Sequence, residues 1–125
     1  MNEITPENVQ EQVNIFRQMQ QQIQNLSQQA SQMDMTIGET ERTLEEIENV
    51  DNDAVLYRAI GSVMKKIDDN PSLVSDLNEE KERMEIRNNS LKNQIEKMNV
   101  ELAEMQAKLE PVLQNIQGKN DKPSK

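Results

Sequence analysis

Without histidine or cysteine in its 125 residues, this chain lacks the commonest general base, metal ligand and covalent nucleophile. Its 23 carboxylates and 14 basic side chains are spread along helical repeats, with no phosphate-cradling glycine loop among its 3 glycines. An enzyme is therefore the least expected class, and neither cofactor nor metal is expected. What remains able to act is apolar surface. It gathers at three places in the sequence, the two ends of the chain and its middle.

Near the N-terminus lie Val9, Val13, Ile15, Phe16 and Met19; near the C-terminus lie Met105, Leu109, Val112, Leu113 and Ile116. In the middle stand Val55, Leu56, Tyr57, Ala59 and Ile60 before Gly61, and Val63, Met64 and Ile67 after it. Binding, not bond-making, is what such residues do, by offering apolar area to a partner.

The elements that position them follow from a sevenfold repeat. Val9, Phe16, Ile23, Ala30, Ile37 and Leu44 form one array, and Leu77, Met84, Leu91, Met98, Met105 and Val112 form another. Taken in antiparallel order, each pair of numbers adds to 121, as 9 with 112 and 44 with 77 do. A second set obeys the same rule: Met19 with Leu102, Leu26 with Ile95, Ile47 with Val74. This is the pattern of two helices folded back along one seam. The expected fold is mainly α, a long antiparallel two-helix coiled coil joined by one β-hairpin that assembles into a multi-subunit β-barrel.

The expected boundaries are a single domain over 1–125, with helix at about 6–50, hairpin at about 54–67, helix at about 71–117, and a frayed, disordered tail over 118–125. Thr5 followed by Pro6 marks one helix start and Asn70 followed by Pro71 the other. Gly118 is the expected stop, and Pro111 predicts a kink or early fraying. Between the helices, Gly61-Ser62 with glycine first suits a type II′ turn. It pairs Ile60 with Val63, Arg58 with Lys65 and Leu56 with Ile67 on one face, and Ala59 with Met64 and Tyr57 with Lys66 on the other. Arg58 opposite Lys65 then needs an acidic neighbour. A plain loop over 54–67 is the alternative.

A lone two-stranded hairpin is marginal in water, and both of its strands are edges that invite another strand. The chain thus reads as incomplete alone. Outward Met35 and Ile86, at equal heights, suggest further subunit packing. Two seam layers are polar, Thr40 with Lys81 and Met33 with Asn88, and are expected to fix register. Residues 18–33 carry no charge. The net charge of −9 comes mostly from residues 1–60, where 3 basic and 11 acidic side chains give −8. An acidic chain without a basic stripe is a poor match for nucleic acid. No apolar run approaches a membrane span, and the first residues lack a signal peptide's charge and apolar core, so a cytoplasmic chain is expected.

The run Tyr57-Arg58-Ala59-Ile60-Gly61-Ser62-Val63-Met64 resembles the hairpin signature of β-class prefoldin subunits. Met84-Glu85-Ile86-Arg87, Leu91 and Gln94 resemble that family's second helix, and the similarity spans about residues 5–117. Room for only one hairpin fits the β class, and Lys65 departs from the aliphatic residue usual there. The resemblance, leaning archaeal, implies an ATP-independent co-chaperone subunit in a hexamer of two α-class and four β-class chains. It implies that the hairpins build the barrels, that the coiled-coil tips hold unfolded clients, and that a group II chaperonin receives them. The terminal apolar residues named above become candidate client-binding residues, and the central ones candidate assembly residues. Two other roles stay open: the terminal residues closing the coil, and the whole chain serving as a structural tether or scaffold.

Overall fold

A computed structural model describes residues 3–120, with side chains described to residue 117. The fold is mainly α. Helix α1 spans Val9–Glu48, strand β1 Tyr57–Ile60, strand β2 Val63–Lys66 and helix α2 Asn70–Asn120. The strands form a two-stranded antiparallel sheet. The chain divides into two compact units, one of residues 1–29 with 91–125, the other of residues 30–90.

In the unit that carries the chain ends, the start of α1 is tied twice. The Asn8 amide donates to Thr5 Oγ1 at 3.3 Å, while the Thr5 amide donates to Asn8 Oδ1 at 2.8 Å. This is a reciprocal capping box with asparagine in the place usual for glutamate. Ile4, just before the cap, is buried with Val9, as a hydrophobic staple requires. Both pack with Met105 and Leu109 of α2, and Val13, Phe16, Val112 and Ile116 lean on that cluster. Here the N-terminal end of α1 lies beside the C-terminal end of α2, so the two run antiparallel.

Several boundaries differ from those expected. Helix α1 begins at Val9, because Pro6–Asn8 form a tight turn closed by the Asn8 amide on the Thr5 carbonyl at 3.2 Å. It ends at Glu48, where Asn49 and Val50 donate to carbonyls three residues back. At the start of α2 the cap is Asp69, not Asn70: the Leu73 amide donates to the Asp69 carbonyl at 3.2 Å, and Ser72 Oγ to its carboxylate at 2.6 Å. Asn70 instead ties the preceding loop, its Nδ2 donating to the Ala54 carbonyl at 3.0 Å. The expected fraying at Pro111 and stop at Gly118 do not occur, since α2 runs on to Asn120. Pro111 and Ala107, whose carbonyl loses its helical partner, are both exposed, so water can serve that oxygen; Val112 and Ile116 stay packed beyond the break. Of the tail expected to fray, 118–120 is helical and 121–125 lies outside the described residues.

In the unit that carries the hairpin, Leu44 of α1 is buried with Leu73 and Leu77 of α2, and Ile47, Leu56, Ile67 and Val74 pack against them. The seam of this unit has one buried polar residue, Asn88, only 3% exposed. Its Nδ2 donates to Asp34 Oδ1 at 2.7 Å, but its own Oδ1 has no partner. The other expected polar layer is looser. Lys81 Nζ lies 3.9 Å from Glu41 and 3.8 Å from Glu85, and Thr40 Oγ1 turns back to the Thr36 carbonyl.

Asn88 thus contributes a hydrogen bond to an exposed carboxylate but buries an orphan acceptor. An unpaired buried carbonyl costs about 1–3 kcal/mol, comparable to what the bond to a charged group returns. Apolar burial of a leucine side chain adds about 1.5–3 kcal/mol. Asn88→Leu is therefore expected to stabilise the fold by about 1 kcal/mol or more. Thermal unfolding by circular dichroism checks this, and a lower melting temperature would refute it.

Candidate assembly and binding surfaces

The hairpin is built from the turn outward. Gly61 has φ of +60°, and among the described residues no non-glycine residue has positive φ. Positive φ at the first central residue alone, and not at Ser62, matches type II′ and excludes type I′. The register follows: Ile60 with Val63, Ala59 with Met64, Arg58 with Lys65, Tyr57 with Lys66. The Ile67 amide extends it by donating to the Leu56 carbonyl at 2.9 Å.

That register sorts the side chains. Leu56, Arg58 and Ile60 share a face with Ile67, Lys65 and Val63. Leu56 and Ile67 press into the leucine cluster, so of the nine candidate assembly residues these two are committed within the chain. Arg58 meets α2, its Nη2 lying 2.8 Å and 2.9 Å from the two carboxylate oxygens of Glu80. Glu80 is the acidic neighbour that the Arg58–Lys65 pair requires. Both side chains are more than a third exposed, so the pair adds at most about 1 kcal/mol. Its value is to hold the hairpin's orientation.

The other candidate assembly residues face solvent. Val55, Tyr57, Ile60, Val63 and Met64 are all more than half exposed, and Ala59 and Gly61 are exposed as well. In an antiparallel pair, residues of the wide pairs point their amides and carbonyls outward. Counting from the closing pair Ile60–Val63, those are Tyr57 and Ala59 on β1 and Met64 and Lys66 on β2. The hairpin therefore shows apolar side chains and two open hydrogen-bonding edges together.

The candidate client-binding residues are arranged differently. Val9, Met105 and Leu109 are buried, the last two only 4% exposed. Val13, Phe16, Met19, Val112 and Ile116 are half-buried. Only Ile15 and Leu113 are exposed, each at 39%. Sequence reasoning missed Ile4, although its place just before the Thr5 cap is where a staple residue sits. Exposed Val100 and buried Leu73 were missed too. Among the described residues no cluster of potential metal ligands occurs and no helix is long and apolar enough to cross a membrane.

A family model described as prefoldin subunit matches residues 10–116. The chain belongs to the prefoldin family. The prefoldin subunit beta of Archaeoglobus fulgidus is 36% identical over 113 residues, which cover 90% of this chain and 96% of that protein. The subunit beta of Thermococcus gammatolerans is 35% identical over 108 residues, covering 86% and 92%. The crystal structure of the prefoldin beta subunit from Thermococcus strain KS-1 is 33% identical, with a TM-score of 0.76, covering 90% of this chain and 97% of that one. These relatives place it in the β class, of the archaeal kind, and so among subunits of a chaperone family.

In this prefoldin subunit the glycine of the turn is a conformational requirement, not a steric one. A Cβ built on Gly61 meets nothing within 4 Å, so the whole cost of a side chain is backbone strain. Gly61→Val should cost about 1–3 kcal/mol in the hairpin. Amide exchange should rise over 56–67 while helical circular dichroism holds. Unchanged hairpin protection would show that the turn does not depend on positive φ.

Proposed function

We propose that the chain is an assembly-competent holdase subunit, working in the cytoplasm without catalysis or cofactor. The observation that carries this is the hairpin. Five large apolar side chains stand more than half exposed beside two open strand edges, an arrangement that a chain working alone would pay for in aggregation. Pairing with other hairpins removes both liabilities, which supports a closed barrel formed with α-class prefoldin subunits and further copies of this chain. The family's arrangement of two α-class and four β-class chains is the stoichiometry proposed.

Client holding falls to the opposite ends of the helices. Ile15 and Leu113 are the open part of an apolar group whose remainder closes the seam. Unfolded segments are read as docking first on these two and then competing for the half-buried Val13, Phe16, Val112 and Ile116. The flexible Met19 and Met105 suit partners of varied shape. Binding of this kind needs no nucleotide, and release to a group II chaperonin completes the proposed cycle.

Ile60→Asp should prevent assembly, because it puts a charge into the barrel seam. Sizing and native mass with α-class subunits check this. Removal of residues 1–16 and 109–125 should leave the complex intact but abolish suppression of aggregation of an unfolded client. Full suppression by the truncated complex would sink the client-binding reading. A complex that never suppresses aggregation, truncated or not, would instead mark the chain as a scaffold.

A further inference from the structure

Two outward residues in the hairpin unit have no function within the chain. Met35 on α1 and Ile86 on α2 are 65% and 64% exposed, the most open of the large apolar side chains among the described residues. Each sits at the centre of an outward helical stripe with its own charges. On α1, Met35 is followed by Gly38, Glu39 and Arg42; on α2, Ile86 is preceded by Arg83 and Glu79.

We infer that the Met35 face of α1 packs against the Ile86 face of α2 in a second copy of this chain. The inference rests on the hairpin assembly reading above. Hairpins joined side by side with their helices leaving in one direction set α1, which runs toward the hairpin, next to a neighbouring α2, which runs away from it. The contact is then antiparallel, and the heights of the side chains can be compared.

They match in position and in charge. Arg42 lies seven residues from Met35 toward the hairpin, and Glu79 lies seven from Ile86, so each is about 10 Å along its helix. Glu39 is four residues from Met35 and Arg83 three from Ile86, a difference of about 1.5 Å. Methionine thus faces isoleucine, arginine faces glutamate, and glutamate faces arginine. All four charged residues are exposed, and among the described residues none of the four takes part in an ion pair. Their complementarity is left for another molecule.

Gly38 supplies an independent reason. Glycine inside a helix lowers stability relative to alanine. Yet a Cβ at position 38 would meet only Arg42 Nη1, at an ordinary 3.8 Å. Nothing in the chain requires its absence, whereas a second helix lying over Met35 and Arg42 gains room from it. The stripe is also continuous with the assembly end. A groove lined by Glu39, Arg42, Glu46, Ile47, Val50 and Leu56 carries it toward the hairpin.

The chain has no cysteine, so single thiols can be placed without background. Met35→Cys and Ile86→Cys copies are mixed in the complex with α-class subunits and treated with a short bismaleimide. A covalent dimer of this chain is expected from the mixture and from neither variant alone. Adding Arg42→Glu to the first copy should cut the yield at least fivefold, and Glu79→Arg in the second should restore it. A complex of full mass that gives no dimer, equal dimer from one variant alone, or a link to the α-class chain overturns the inference while sparing hairpin assembly. Failure of any complex to form, seen by mass before cross-linker is added, overturns both.

Discussion

The turn at Gly61-Ser62 constrains everything else in this chain. A two-residue loop permits one pairing of the flanking strands, and a strand shifted by one residue presents its other face. With Ile60 set opposite Val63, Leu56 and Ile67 must point one way and Tyr57 and Met64 the other. The first pair then completes the Leu44, Leu73 and Leu77 cluster. The second is left facing solvent with the open edges. One positive φ at one glycine therefore decides which apolar residues stabilise the subunit and which remain available to others.

Much of this could be read from residue types and spacing. The seam survives as read: every a and d residue from Val9 to Ile47 and from Val74 to Ile116 is buried or half-buried. Heptads report burial well because a residue every seven returns to the same stripe whatever its neighbours do. The ends of elements were less legible, because they turn on local competition among hydrogen bonds. Asp69, Asn70 and Ser72 can each cap a helix; Asp69 does so because Asn70 is taken by the Ala54 carbonyl sixteen residues away in sequence. Pro111 reads as a breaker when judged alone. Packing of Val112 and Ile116 on a neighbouring helix is a tertiary term that propensity does not contain.

The two apolar groups obey opposite rules. Hairpin residues are exposed because the strands are too short to fold over them, so their availability is fixed by topology. Terminal residues such as Leu109 and Met105 are buried because they serve the seam, and of the candidate client-binding residues only Ile15 and Leu113 stand clear of it. An assembly surface profits from the first arrangement, since a permanent partner covers it. A surface for transient partners profits from the second, since apolar residues that cover one another in the absence of a client do not associate with other chains.

Polar residues in the seam fit the same economy. Asn88 leaves Oδ1 unpaired and bonds through Nδ2 to Asp34, while Lys81 stands between two glutamates at long range. Asn88 is not what maximal stability would select, because an apolar side chain fills the same layer without an orphan acceptor. The effect of both residues is on alternatives. A parallel dimer built from two copies of α2 would bring Asn88 against Asn88 and Lys81 against Lys81, the latter a like-charge layer. The antiparallel fold-back instead gives each an acidic partner on α1, Asp34 and Glu41. Opposition of charge at Lys81 and Glu41, with the Asn88–Asp34 hydrogen bond beside it, thus favours the helix that belongs to the same chain.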